Sequence, residues 1–174
     1  MSNTSTAPVT PALKGALVAL VLILMGLAIY FSGNFQNKAF DYIQMAVFVF
    51  GVIGSGVYYA HQEQGNVTFG NVFAEGFKTA AAATGIFLVY TYLAIKFIMP
   101  EIVDLSMEAA RKGMIEQKMP PAQMEQALGM MQKFFVPFAI GGSLLIYLIL
   151  GLIAALIGGA LAKKNPNPSP FAQS

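Results

Sequence analysis

The chain has 174 residues, of which 56% are hydrophobic, 10% are charged and none is cysteine. So little charge, against about 25% in an ordinary soluble domain, excludes a water-soluble globule. The missing cysteines exclude disulfides, thiolate metal sites and thiol catalysis, and a formal charge of +2 is too small to suggest a nucleic-acid partner.

Residues 1–11 are polar and rich in Ser and Thr, the composition of a disordered tail. The apolar run 13–31 carries Lys14 near its start. It is too long for a signal-peptide core, and no A-x-A-like site follows it, so it reads as an uncleaved first membrane helix. A short loop with Gly33, Asn34, Asn37 and Lys38 leads to a second span, 40–60, with Asp41 at its mouth and Gln44 one turn in. Tyr58 and Tyr59 fall where an interfacial aromatic belt belongs. After the polar loop from His61 to Asn66 comes a third span, 73–99. Its charges, Glu75, Lys78 and Lys96, lie near its ends. At about 1.5 Å per residue each run has the length to cross a hydrocarbon core of about 30 Å. Glu75 and Lys78, three residues apart, share a helix face at the membrane boundary and can pair there.

The character then changes. Residues 101–135 hold Glu101, Asp104, Glu108, Arg111, Lys112, Glu116, Lys118, Glu125 and Lys133, divided by Pro120-Pro121. The pattern predicts an amphipathic helical hairpin, with helices over about 101–118 and 121–135. Met124, Leu128, Met131 and Phe135 form one apolar stripe on the second helix. A segment of about 33 residues buries too little to fold alone, which places the hairpin against the membrane or the spans. The fourth span, 136–162, has Pro137 in its first turn and is stopped by Lys163 and Lys164; the Pro-rich residues 165–174 read as a second disordered tail. Residues 12–164 thus form one all-α, four-helix membrane domain.

Small residues recur at four-residue spacing: Gly151, Ala155 and Gly159; Gly51 and Ser55; Ala80 and Thr84; Ala81 and Gly85. Such faces bring helices close in lipid, either within one chain or between copies. Packing within the chain is the favoured reading. No ionisable residue lies deep in a span, which argues against proton relays and charge-selective pores. His61 lacks metal-ligand partners. Ser55 lacks a base. The glycine pairs sit in apolar helix, not in a phosphate loop. The methionines clustered from Met99 to Met131 read as an adaptable apolar face, not a copper site. The sequence therefore assigns no catalytic, cofactor-binding or metal residue, expects no cofactor, and argues against an enzyme.

One layout is distinctive. A turn Thr68-Phe69-Gly70 is followed by Phe73, Phe77 and Lys78 at the head of the third span, Pro100 follows that span, and the charged hairpin leads into the last. Over about residues 12–164 this resembles the bacterial membrane-protein family known as domain of unknown function 4199 (DUF4199). The resemblance implies a four-helix inner-membrane protein; it implies no activity and transfers no functional residue. Four spans put both termini on one side. Lys14, Lys163 and Lys164 beside the span ends make that side cytoplasmic, although the hairpin side carries more Lys and Arg in total. The expected role is structural or accessory, through helix–helix and hairpin contacts with a membrane partner or a second copy. The alternative is an oligomeric transporter or channel for a small or apolar solute.

Overall fold

The computed structural model describes residues 9–34 and 37–164, so the expectations for most of both tails lie outside the described residues. Among the described residues every regular element is helical: α1 (Pro11–Phe31), α2 (Lys38–Gln62), α3 (Phe69–Leu93) continued by a π turn (Ala94–Ile98), α4 (Ile102–Glu116) and α5 (Pro121–Leu161). Four stretches of the described residues are long and apolar enough to cross a membrane, Pro11–Phe31, Lys38–Gln62, Phe69–Ile98 and Pro121–Leu161. The protein is a multi-pass membrane protein whose spans contact the lipid bilayer.

Local chemistry sets the helix ends. Thr10 caps α1, its side chain accepting from the Leu13 N–H, with Pro11 in the first turn where its missing donor costs nothing. Gly33, at φ +71°, lets the chain turn left-handed as α1 closes. The Asn37 side chain accepts from the Ala39 N–H at the start of α2. Thr68 caps α3 by accepting from the Asn71 N–H at 3.2 Å, so the Thr68-Phe69-Gly70 turn is a helix start.

The chain forms two compact units. The first comprises residues up to Phe87 and from Ile146 onward. Its core is Leu22, Phe48, Val52, Ala80, Ala83, Tyr147, Ala154 and Ala155. Phe48 and Phe87 both meet the Tyr147 ring edge-on, with centroids 4.8 and 5.3 Å apart. Phe69, Phe73 and Phe77, one turn apart, stack at 6.3 and 6.1 Å; the aromatic motif at the head of α3 is one ladder along the helix.

Close approach of small residues holds this unit together. A Cβ on Gly15 would lie 2.7 Å from the Thr79 carbonyl oxygen, and one on Gly151 2.6 Å from the Ala80 Cβ. Gly76 meets Ala155, Gly158 meets the Ile53 backbone, and Gly159 meets the Phe69 ring. The Gly151, Ala155 and Gly159 face therefore packs within the chain. Ala81 and Gly85 are both exposed, so that pair takes no part in the core.

The second unit is Leu88–Leu145. The π turn closes with the Met99 N–H donating to the Ala94 carbonyl at 2.8 Å, a wide turn just before Pro100. Lys96 lies over the Tyr92 ring, 5.6 Å from its centroid. Helix α4 ends with Lys118 at φ +56° and the Met119 N–H bonded back to the Met114 carbonyl, a left-handed C-terminal closure made without glycine.

The sequence pattern predicts a hairpin end at Phe135 and a new span from Val136; instead α5 runs unbroken from Pro121 to Leu161 with Pro137 inside it. Proline's fixed φ is helical, and its cost is chiefly one missing donor and a crowded carbonyl one turn earlier. The strongly apolar run around it continues the helix regardless. On the stripe of Met124, Leu128, Met131 and Phe135, Leu128 is buried, Met124 and Phe135 are half-buried, and Met131 is exposed.

Glu108 and Lys112 form an i,i+4 pair on α4, 2.8 Å apart, with both side chains well exposed. The hydrogen bond from Lys112, followed by its charge, holds the Glu108 carboxyl below its ordinary value. A carboxylate depressed in this way favours the folded helix above the ordinary carboxylate range, and loses that effect as pH falls through its own lower value. The 13C shift of the Glu108 carboxyl is expected to titrate below that of an unpaired glutamate and to move up in Lys112→Gln; an unchanged midpoint would show that the pair does not persist in solution.

Candidate functional site

The polar chemistry inside the first unit concentrates at one end of its helices. Lys14, in the first turn of α1, reaches Glu75 in the second turn of α3 with 2.7 Å between Nζ and Oε1. Their side chains are only 8% and 11% exposed, so this ion pair is held inside protein. Gly15, the next residue on α1, lies against the α3 backbone at Thr79 and Ala83; its absent side chain lets α1 approach near enough for Lys14 to span the gap.

Aromatic faces complete the cage. The Lys14 Nζ lies 5.4 Å from the Tyr58 ring centroid and 5.6 Å from that of Tyr59. Both rings thus add cation–π attraction to the ammonium. Thr79 donates to the Glu75 carbonyl at 3.0 Å, tying its hydroxyl into the helix one turn on. Taking two charges out of water is costly, and a buried pair persists only where geometry and further partners offset that cost.

Glu75 has a different partner from the one its local spacing suggests. Glu75 pairs with Lys14, 61 residues away, not with Lys78, which is exposed. The face of α3 that turns inward is Val72, Glu75, Gly76, Thr79, Ala80, Ala83 and Thr84, and Lys78 lies off it. Tyr58 and Tyr59, read as belt residues, flank the buried ammonium. The signal that points this way is a lone cation in the first turn of α1 beside Gly15, with an acid early in α3. Local spacing alone favours the nearer partner.

Where α2 and α5 end, a cavity of about 730 Å³ opens. Val57, Ala60 and Leu161 form its apolar wall, and His61 with the cationic Lys163 and Lys164 its polar rim. Lys164 donates to the Gly159 carbonyl at 3.0 Å and lies over the Phe69 ring, 5.6 Å from its centroid. It therefore satisfies an end carbonyl of α5, where the helix dipole favours a cation. Among the described residues no group of three or more His, Asp or Glu is placed to hold a metal ion.

No curated protein and no solved structure matches the chain. A family model does match, over residues 13–164, which takes in all four apolar stretches, the Thr68-Phe69-Gly70 cap, the Phe ladder, the Lys14–Glu75 pair and the cavity. The chain belongs to the family described as Protein of unknown function (DUF4199).

Proposed function

We propose that the protein is an accessory component of the bacterial inner membrane, with both termini cytoplasmic, that binds another membrane protein through an amphipathic hairpin. The hairpin is α4 with the leading part of α5. The observation that carries this reading is that α4 has no fully buried residue. Its polar face, with Asp104, Glu108, Arg111, Lys112 and Glu116, is exposed, while Ile102, Val103, Leu105, Met107 and Met114 are only half-shielded. On α5 the apolar Met130, Met131, Phe134 and Phe138 are exposed. Aromatic and methionine side chains are enriched at protein interfaces, and an amphipathic helix laid into a groove is a recurrent recognition mode. Nucleic-acid binding and enzymatic activity form no part of this proposal.

Photo-cross-linkers at Met107 and Met130, activated in intact cells, are expected to trap one membrane protein in fixed ratio that survives extraction in mild detergent. Cross-links to lipid alone would overturn the docking role. A product of twice the chain mass would make the partner a second copy.

The buried Lys14–Glu75 pair favours a second reading, an oligomeric transporter for a small solute, because ionisable groups enclosed within spans are expensive and often functional. Solute flux in proteoliposomes that disappears in Glu75→Gln, while the folded oligomer persists, would support it.

A further inference from the structure

We propose that the cavity at the ends of α2 and α5 is a binding site for a phosphate-bearing anionic headgroup, that of an anionic phospholipid. The chemistry along the two helices is ordered. Val57 precedes His61 by one turn on α2, and Leu161 ends α5 just before Lys163 and Lys164. The cavity is therefore apolar on the side of the span and cationic at its outer rim. A phospholipid presents the same order, with acyl chain first and phosphate outward. Basic pockets between membrane helices near the interface suit anionic headgroups.

The two lysines differ in what they do for the protein. Lys164 is bonded to the Gly159 carbonyl and lies over Phe69, so its ammonium is held in place at the rim. Lys163 is exposed and makes no hydrogen bond or ion pair with the described residues. The turn after α2 uses its own backbone donors internally. The Gln64 N–H goes to the His61 carbonyl and the Gly65 N–H to the Ala60 carbonyl, so anion recognition falls to the side chains. No carboxylate is among the described lining residues. One ammonium held in place, a second able to close over a ligand, and an apolar wall beneath them fit a phosphodiester with a net negative charge better than a zwitterionic headgroup, whose own cation would meet the lysines.

The shared chemistry is the phosphate group, and free phosphate is the other source of it. The test uses the full chain in non-ionic detergent with three probes: dioctanoyl phosphatidylglycerol, dioctanoyl phosphatidylcholine and inorganic phosphate. Binding is read by native mass spectrometry, with thermal unfolding as the fold control. Phosphatidylglycerol is expected to bind at least about tenfold more tightly than phosphatidylcholine. Lys163→Gln is expected to weaken phosphatidylglycerol about tenfold, the loss of roughly one charge-assisted hydrogen bond. Lys163→Arg is expected to retain binding, and both variants to unfold at the wild-type temperature without ligand. Saturation by inorganic phosphate, with displacement of the lipid, would keep the phosphate site and overturn the lipid as its occupant. Equal binding of the two lipids, or undiminished phosphatidylglycerol binding in Lys163→Gln, would overturn the proposal. These outcomes are independent of whether the hairpin docks a partner.

Discussion

Glu75→Gln alone is expected to destabilise the protein by about 3–5 kcal/mol, and Lys14→Met alone by a similar amount, because each leaves one charge buried without its partner. The double variant is expected to recover most of that loss, since two neutral side chains of similar size carry no desolvation cost. The contrast follows from exposures of 8% and 11%; a solvent-exposed pair such as Glu108–Lys112 shows little of it. Reversible unfolding in mixed detergent would give the four corners of the cycle, and two residues in contact should couple strongly. A coupling below about 1 kcal/mol would mean that water at either group, or the tyrosine rings at Lys14, and not the opposite charge, supplies the stabilisation. Tyr58→Leu and Tyr59→Leu would then separate those two contributions.

The second large effect concerns the spacing of α1 and α3. Gly15→Ala is expected to cost about 1–3 kcal/mol, because its Cβ would lie 2.7 Å from the Thr79 carbonyl oxygen and 2.9 Å from the Ala83 nitrogen. Both are backbone atoms, so no rotamer change relieves the clash and the helices must separate. Gly85→Ala, on the same α3, meets nothing among the described residues within 4 Å. It is expected to be neutral or to stabilise by up to about 1 kcal/mol through helix propensity. The same chemical change thus has opposite signs on one helix pair. Separation of α1 from α3 also stretches the Lys14–Glu75 contact, so Gly15→Ala and Glu75→Gln should combine less than additively. Full additivity would show that the glycine contact and the ion pair are set independently.

Much of the fold was legible because lipid imposes long apolar runs. The four spans, the polar connection after α2 and the charged segment before the last span all follow from composition and periodicity. The end of the charged segment is not legible, because a proline such as Pro137 signals a helix start, whereas α5 carries it internally. The π turn at Ala94–Ile98 left no composition signal; it is a change of hydrogen-bond register before Pro100, invisible to periodicity over one turn. At the polar site, the spacing of Glu75 and Lys78 suggested a local pair, and the real partner lies on another helix. Sequence distance hides such pairs, while Gly15 beside Lys14 marks the face of α1 that meets α3. Lys163 and Lys164 were legible as a stop to the span but not as the rim of a cavity, because Val57 and His61 come from α2, about a hundred residues earlier.

The 61 residues between Lys14 and Glu75 also set an order of events during synthesis. Lys14 leaves the ribosome first, and at about 5–20 residues per second its counter-ion follows roughly 3–12 s later. During that interval α1 carries an ammonium with no carboxylate to meet it, and its lysine stem can only reach back toward the headgroups. The first helix is therefore provisionally seated when α2 emerges, and the arrival of α3 locks it. A nascent chain arrested before Glu75 should expose α1 to degradation or inverted insertion, and one arrested after α3 should not.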